Sequence, residues 1–366
     1  MTDQIPGTTP TAPIIIKLGS AVARDKLGLL DKASLNAIAS QIAELANAGQ
    51  PTVLVSSGAV AVGMGNAPES VLNEKHPVQR RQLLAAIGQA ALMTFYQQAF
   101  EQHDLTAAQV LATRQDFASR RHYLNMRGCL LGALDHRIVP VVNENDVVSV
   151  TELMFTDNDE LAALLASMLG ARQLILLTDV DGVFDGPPDD PASQLIGRWT
   201  GQSFSPDAAN NTSEFGRGGI ASKIRSARKL ASLGTEVWIA QGRRPGVISD
   251  IAAGRGYGTC FPAQAKQPTQ PKRWVAGAPA GSASVTVNSG AAAALLSPNR
   301  LASLLPVGIV AITGNFVRGD IITIVDEKSG PIGYGRAQYG ADIARKRIGQ
   351  QQQKPLIHYD YLYVES

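Results

Sequence analysis

Polar and charged side chains stand where the apolar runs of this sequence end. Lys17 directly follows three isoleucines, and Ser57, Asn143 and Thr178 each follow another apolar run within two residues. An ammonium group suits a phosphate, whereas hydroxyl and amide groups can orient a polar substrate. Each residue alone could be an ordinary turn or strand-end residue. Their repetition at several run ends indicates one shared site.

A glycine-rich segment precedes a basic helical pattern and is a second candidate site. Its members are Gly216, Arg217, Gly218, Gly219, Ile220, Ala221, Ser222 and Lys223. Small residues let backbone N–H groups approach a phosphate, and the lysine then falls on the first turn of the helix. A plain flexible loop is the alternative. A Rossmann site is weakly supported because no apolar strand precedes the segment, and neither a P-loop nor a nucleophile elbow occurs.

Two further loops combine amides with carboxylates. The first is Asn143-Glu144-Asn145-Asp146, and the second is Thr156-Asp157-Asn158-Asp159. Such pairs of carboxylates could act as acid and base, bind a metal ion, or orient cations and an amino group. The five histidines are scattered, and none has a partner at metal-ligand spacing. The loops therefore point to a polar site without deciding its chemistry, and no metal-ligating residue is assigned.

The elements that must position these residues follow from the apolar pattern. Continuous apolar runs alternate with helix-like spacing such as Leu35, Ile38 and Ile42, which predicts an α/β three-layer sandwich with a mostly parallel sheet. A Pro/Gln/Lys stretch then predicts a linker, and short β-rich runs follow it. We expect a flexible tail at 1–12, a first domain at 13–261, a linker at 262–271 and a small β-rich domain with a C-terminal tail at 272–366. The end, from Gly349, is expected to be loosely held.

Composition excludes several classes of protein. The 366 residues carry 33 basic against 31 acidic side chains, so binding to nucleic acid through bulk charge is not indicated. Cys129 and Cys260 have no partner at disulfide or zinc spacing, which favours a reducing cytoplasm. No uninterrupted apolar stretch of roughly 18 residues occurs, so no membrane span is expected.

As a set, the motifs resemble the glutamate 5-kinases of the amino acid kinase family. The matching stretches are 16–20, 55–60, 140–146, 157–159, 177–179 and 218–223. Lys272-Arg273-Trp274 and the stretch 314–320 resemble the PUA domain that many of these enzymes carry. The likeness extends over essentially the whole chain from Pro13, so the amino acid kinase fold followed by a PUA domain is the expected architecture.

The resemblance implies that ATP, with Mg²⁺, phosphorylates the side-chain carboxylate of L-glutamate, the first step of proline biosynthesis. Lys17 and Lys223 would flank the transferring phosphoryl group, and Asp159 would hold both lysines. Glutamate would be held by Ser57, Asn143, Asp146 and Asn158. The nucleotide would be held by Lys17, Gly19, Thr178, Asp179, Arg217, Gly218, Gly219, Ile220, Ala221, Ser222 and Lys223. A homo-oligomer, dimer or tetramer, and feedback inhibition by proline are also implied.

Elementary chemistry is consistent with phosphorylation of the glutamate side chain. A glutamate carboxylate has a pKa of about 4.3 and is ionised at neutral pH, so this nucleophile needs no general base. Asp146 could pair with a free α-ammonium group, which disfavours N-acetylglutamate as the substrate. Arg217 departs from the family, where a small hydroxyl residue usually precedes the two glycines, and Ile220 replaces a usual Met.

Two alternatives stay open at this point. The first is another amino acid kinase, acting on N-acetylglutamate or aspartate. The second is RNA binding through the PUA domain, although the chain from Lys272 onward has only 10 basic against 6 acidic residues. Its one tight basic cluster, Arg345-Lys346-Arg347, is better explained as a solvated helix face.

Overall fold

The computed structural model describes residues 11–25, 28–148, 155, 157–187, 190–201, 219–264, 269, 272, 274–275, 283–297 and 302–364. The chain divides into two units. The first comprises Met1–Thr113 and Gly128–Gln267, and the second comprises Arg114–Arg127 and Pro268–Ser366. The predicted tail at 1–12 and linker at 262–271 lie largely outside the described residues, so those boundaries stay predictions.

One sheet of seven strands organises the first unit. The strands are β1 Ile14–Leu18, β2 Thr52–Val55, β3 Thr106–Ala112, β4 Ile138–Glu144, β5 Gln173–Thr178, β6 Glu236–Gln241 and β7 Thr259–Phe261. Their order is β3-β4-β2-β1-β5-β6-β7, and only the edge strand β7 runs antiparallel to its neighbour. The predicted mostly parallel sheet is confirmed. All five residues of the central strand β1 are buried, which explains its continuous apolar run.

Helices occur between these strands along the chain. They are α1 Lys32–Asn47, α2 Ala59–Asn66, α3 Glu69–Leu72, α4 Pro77–Glu101, α5 Arg114–Ala118, α6 Arg120–Asp135, α7 Asn158–Leu169, α8 Ile220–Ser232 and α9 Val247–Ala252. Asp31 caps α1 by accepting a hydrogen bond from the Ser34 backbone N–H at 3.0 Å. Leu35, Ile38 and Ile42 are all buried in the core, so the helical spacing read from the sequence is confirmed.

Two glycines let α2 and α4 pack closely. A Cβ on Gly88 would lie 1.8 Å from the carbonyl oxygen of Ala59, and one on Gly63 would lie 1.9 Å from the carbonyl oxygen of Leu84. No larger residue fits at either position without moving a backbone. This close packing fixes α4, whose side chains Arg81 and Gln89 contact β4 and the loop after it.

The second unit contains a separate five-stranded sheet. Its strands are β8 Ser284–Val287, β9 Ile309–Thr313, β10 Ile321–Asp326, β11 Gly330–Ala337 and β12 Ile357–Val364, in the order β12-β11-β10-β8-β9. The described part of this unit also contains helices α10 Ser289–Leu296 and α11 Ala341–Arg347 and the 3₁₀ turn Pro306–Gly308. The predicted β-rich fold is confirmed. The expectation of a loosely held end is wrong for β12, because Ile357 is fully buried and the strand pairs with β11.

Residues 114–127 belong to this second unit although they precede β4 in the chain. Trp274 is 1% exposed and its indole N–H donates to the carbonyl oxygen of Phe117 at 3.2 Å. The Arg120 guanidinium lies over the same indole at 4.7 Å, and the Tyr123 ring centre is 5.9 Å away. Trp274 thus anchors a segment that is more than 140 residues distant in sequence.

The basic cluster at 345–347 lies on α11, which agrees with the prediction that it is part of a helix face. Arg345 donates to the Gly314 carbonyl and to Asn315, and the Arg347 guanidinium lies over the Tyr339 ring at 4.8 Å. Two of the three charges are therefore engaged within the unit. None of the helices in the described ranges is both long enough and apolar enough to cross a bilayer.

Candidate active site

Parallel strands bring the predicted residues to one edge of the first sheet. Lys17 lies near the end of β1, Asn143 near the end of β4 and Thr178 at the end of β5, and Ser57 follows β2. Because these strands are parallel and adjacent, their carboxyl ends share one edge, where α/β proteins bind ligands. Lys17, Ser57, Asn143 and Thr178 are all buried or nearly so.

Asp159 joins the two predicted catalytic lysines. Its Oδ1 lies 2.6 Å from the Lys17 Nζ and its Oδ2 lies 2.8 Å from the Lys223 Nζ. Asp159 is 0% exposed, and the lysines are 5% and 9% exposed. Two buried ammonium groups share this one carboxylate, and the carboxyl group of Asp157 lies close enough for its charge to interact with both lysines. Buried charge is costly unless paired, so Asp159 is what allows both ammonium groups to stay buried side by side.

The two acidic residues at the start of α7 have opposite pKa shifts. Burial raises the pKa of Asp159, but the charges and hydrogen bonds of Lys17 and Lys223 outweigh burial and hold that pKa below its usual value. Burial, followed by the charge of Asp159, raises the pKa of Asp157. Asp157 is thus the easier of the two to protonate, and Asp159 stays ionised across the physiological range.

Asp157 also connects the two helices that carry the cluster. It caps α7 by accepting hydrogen bonds from the backbone N–H groups of Asp159 and Glu160, both at 3.0 Å. Its Oδ2 accepts a further bond from the Ser222 hydroxyl, on the first turn of α8, at 3.0 Å. The start of α8 is therefore held against the start of α7, which sets the position of Lys223.

Asn158 forms hydrogen bonds with other residues predicted to hold glutamate. Its Nδ2 lies 2.7 Å from the Ser56 carbonyl oxygen, 2.9 Å from the Ser57 hydroxyl and 3.1 Å from the Asn143 Oδ1. The Asn143 amide in turn donates to Gln89 Oε1 at 2.9 Å. Three of the four residues predicted for this role thus form one polar network.

The fourth residue, Asp146, lies in an ion pair. Its Oδ1 accepts from the Nε and Nη2 of Arg81, at 3.2 and 2.8 Å. Arg81 is on α4, 65 residues away in sequence, and no spacing rule could have connected the two. The charge partner of Asp146 was therefore missed, although an Arg near the start of a long helix was visible in the sequence.

Further candidate nucleotide-binding residues lie at the ends of β1 and β5. Gly19 donates its N–H to the Leu177 carbonyl at 2.9 Å, and a Cβ at Gly19 would lie 2.7 Å from the same oxygen. The Thr178 hydroxyl donates to Asp179 at 3.1 Å, and Gln241 donates to the Asp179 carbonyl at 2.6 Å. These contacts make the ends of β1, β5 and β6 one rigid edge.

Helix α8 begins here with its backbone N–H groups turned to the helix start. Gly219 is its N-cap and supplies no side chain, and Ile220 and Ala221 are the first helical residues. The first N–H groups of a helix lack internal partners and, with the helix dipole, suit an anion. Gly219 to Lys223 thus lie at the start of α8, and their nucleotide-binding role stays a prediction, whereas Arg217 and Gly218 lie outside the described residues.

Comparison with known proteins gives consistent likenesses. The model of the amino acid kinase family matches residues 12–241, and that of the PUA domain matches residues 283–358. The glutamate 5-kinase of Chlorobaculum tepidum is 46% identical over 355 residues, covering 96% of this chain and 97% of that protein. The glutamate 5-kinase of Bacteroides thetaiotaomicron is 40% identical over 357 residues, covering 96% and 98%.

Among solved structures, one likeness concerns the fold. The carbamate kinase from Giardia lamblia bound to AMP-PNP has a TM-score of 0.52 at 19% identity, covering 70% of this chain and 100% of that one. At that identity the match shows a shared fold and nothing finer. It agrees with the parallel sheet described above.

Proposed function

The chain belongs to the amino acid kinase family, and from that premise we propose that it transfers the γ-phosphoryl group of ATP to the side-chain carboxylate of L-glutamate. The products are L-glutamyl 5-phosphate and ADP, and the reaction is the first step of proline biosynthesis. Full-length likeness to glutamate 5-kinases supports this substrate. The observation that carries the chemistry is the buried Lys17–Asp159–Lys223 cluster, which holds two ammonium groups in place.

The reaction needs charge neutralisation and alignment rather than proton transfer. The glutamate carboxylate is already ionised, with an ordinary pKa of about 4.3, so no base has to activate it. Both reactants are anions, and they repel each other until cations separate them. Lys17 and Lys223 supply two such cations on either side of Asp159. The charge that develops on the transferring group meets ammonium groups already fixed in place, which lowers the barrier.

On the acceptor side, the polar network positions the amino acid. Ser57, Asn143 and Asn158 present hydroxyl and amide groups to glutamate. Asp146 presents a carboxylate to its α-ammonium group. An acetylated amino group carries no charge to pair with Asp146, so N-acetylglutamate is the weaker ligand.

On the donor side, the phosphates of ATP meet the start of α8. Gly219, Ile220 and Ala221 offer backbone N–H groups there, whereas the Ser222 N–H donates to the Gly219 carbonyl oxygen at 3.1 Å. Arg217, Gly218 and Ser222 are kept as proposed nucleotide-binding residues on the sequence resemblance alone. Lys17, Gly19, Thr178 and Asp179 complete the proposed nucleotide contacts at the ends of β1 and β5.

Mg²⁺ belongs to this proposal as the metal of Mg-ATP. Within the described parts of the chain, no group of three His, Cys, Asp or Glu side chains could hold a metal ion alone. Both oxygens of Asp159 already face lysines. Phosphate oxygens and water therefore suit Mg²⁺ better than a dedicated protein site does, and the ion would offset phosphate charge.

The test is ADP release from Mg-ATP with L-glutamate, N-acetylglutamate and L-aspartate offered separately. Activity on glutamate is expected to be lost in Lys223→Ala, and Asp146→Ala is expected to raise the KM for glutamate. Turnover of N-acetylglutamate or aspartate in preference would favour the other amino acid kinases. No turnover by folded protein would contradict the proposal and make RNA binding by the second unit the next question.

Three further features are proposed from the same family membership: a cytoplasmic location, a dimer or tetramer, and feedback inhibition by proline. Light scattering measures the oligomer directly. Glutamate saturation curves measured with added proline test the inhibition. Curves unchanged by proline would contradict it.

A further inference from the structure

Two adjacent residues of α4 hold the loop after β4. Arg81 donates two hydrogen bonds to Asp146, and Gln82 donates to the Val147 carbonyl oxygen at 2.8 Å. The first contact joins two opposite charges and the second fixes the backbone beside them. This part of the loop, where the amino group of the substrate is proposed to bind, is thus positioned by α4.

The ion pair uses only some of the hydrogen-bonding atoms of each side chain. Both bonds from Arg81, from Nε and Nη2, end on the Oδ1 of Asp146. The Oδ2 of Asp146 and the Nη1 of Arg81 make no hydrogen bond to any other described residue. The side chain of Asp146 is 10% exposed and that of Arg81 is 37% exposed, so the arginine is open to a ligand while the carboxylate is held.

An α-amino acid carries a negatively charged carboxylate and a positively charged ammonium group bonded to the same carbon atom. A carboxylate and a guanidinium side by side are complementary to that pair, because each ligand charge then meets its opposite. We propose that Arg81 binds the α-carboxylate of glutamate while the Asp146 Oδ2 binds the α-ammonium group. The inference rests on the proposed function, which places Asp146 at the amino group, and it adds a specificity residue from a different element.

The proposal separates two analogues of the substrate. 4-Aminobutyrate has the reacting carboxylate and the ammonium group of glutamate but lacks the α-carboxylate. It can use Asp146 and cannot use Arg81. Glutarate lacks the ammonium group and retains both carboxylates, so it can use Arg81 and faces the unsatisfied charge of Asp146. Arg81 therefore makes a direct contact to glutamate and to glutarate and none to 4-aminobutyrate, to which it contributes only by holding Asp146.

The experiment compares Arg81→Met and Arg81→Lys with wild type in the full chain. Calorimetry measures binding of L-glutamate, 4-aminobutyrate and glutarate, and steady-state assays give kcat and KM for glutamate. Arg80→Met is the matched control, because Arg80 is the neighbouring arginine on α4 and makes no bond to residues 143–148 in the part of the chain that is described. Circular dichroism reports whether each variant folds.

For Arg81→Met we expect glutamate binding to weaken by about tenfold or more, the range of one charge-assisted hydrogen bond. Binding of 4-aminobutyrate should stay within about threefold, and kcat should change less than KM. Glutarate binding should also weaken. Arg81→Lys should recover part of the loss because it keeps the charge, and Arg80→Met should match wild type.

Two results with the Arg81 variants would overturn the proposal. Equal weakening of glutamate and 4-aminobutyrate would mean that Arg81 acts only by holding Asp146, and unchanged binding of all three ligands would mean that it has no role. The proposed function fails separately, if wild type binds glutamate without phosphorylating it. The ligand comparison still decides the role of Arg81 in that case. Wild type that binds none of the ligands would contradict both.

Discussion

Among single residues, Asp159 determines the geometry of the proposed reaction site. It separates two buried ammonium groups that would otherwise repel each other. Asp159→Asn keeps the size of the side chain and removes its charge. Lys17 and Lys223 then lose their shared partner, and we expect kcat to fall by about 100-fold or more, as when a positioned charge contact is removed from an active site.

Steady-state assays with Mg-ATP and glutamate measure this loss. Asp135→Asn, at the end of α6 and away from the cluster, serves as the control and should keep wild-type activity. Retention of full kcat by Asp159→Asn would mean that the lysines find their positions without the carboxylate.

The lowered pKa of Asp159 predicts how stability depends on pH. A group whose pKa is lower in the folded state stabilises the fold above its unfolded-state pKa, about 3.9 for Asp. That contribution is lost as the pH falls through the lower folded-state pKa. The difference in unfolding free energy between wild type and Asp159→Asn should therefore shrink below about pH 4. Urea titrations at several pH values measure it, and a difference that stays constant down to pH 2 would contradict the assignment.

At the scale of elements, the contact between α2 and α4 places a strict limit on residue size. Gly88→Ala would put a methyl group 1.8 Å from the Ala59 carbonyl oxygen, so one helix has to move. We expect a loss of about 3 kcal/mol or more in unfolding free energy. Because α4 carries Arg81 and Gln89, the KM for glutamate should also rise.

Gly128→Ala is the matched control for that prediction. Gly128 lies within α6, and a Cβ there would meet no atom within 4 Å. Alanine should stabilise the helix by about 0.5–1 kcal/mol. Denaturant unfolding measures both variants. Equal effects of the two substitutions would mean that α2 and α4 do not pack as closely as described.

Elements differ in how far the sequence could predict them. Strands such as β1 and β5 are buried on both faces and read as continuous apolar runs, and α1 shows its core face through helical spacing. Strand β3 was missed because it lies at the sheet edge and contains Thr, Ala and Gln. Strand β12 was missed because a run of glutamines precedes it.

The candidate site likewise contains residues that the sequence could predict and residues that it could not. Lys17, Asn143 and Thr178 could be found because each directly follows the apolar run of its strand and lies at or near the strand end. Arg81 could not, since its role depends on how α4 crosses the sheet edge. Local pattern carries no information on a contact made over 65 residues of sequence.

At the scale of the whole molecule, the second unit is made from two separate pieces of chain. Its residues 114–127 depend on Trp274 for packing. Trp274→Ala should cost about 3–5 kcal/mol, the usual loss for a large buried aromatic side chain. Trypsin should then cut at Arg120, Arg121 or Arg127 faster than in wild type, because local opening exposes them.

Mass spectrometry of timed digests locates these cuts. Val310→Ala, at an exposed position of the same unit, should leave the digestion pattern unchanged. Slow cleavage at these arginines in Trp274→Ala would mean that the segment is held without the indole.

The division of the second unit into two pieces also matters while the protein is being made. A ribosome releases residues 114–127 about 150 residues before Trp274. At roughly 5–20 residues per second, Tyr123 is synthesised on the order of 10–30 s before the indole that packs beside it. The nascent chain therefore presents an aromatic surface for that time, and chaperone dependence or aggregation during synthesis should concentrate in that interval.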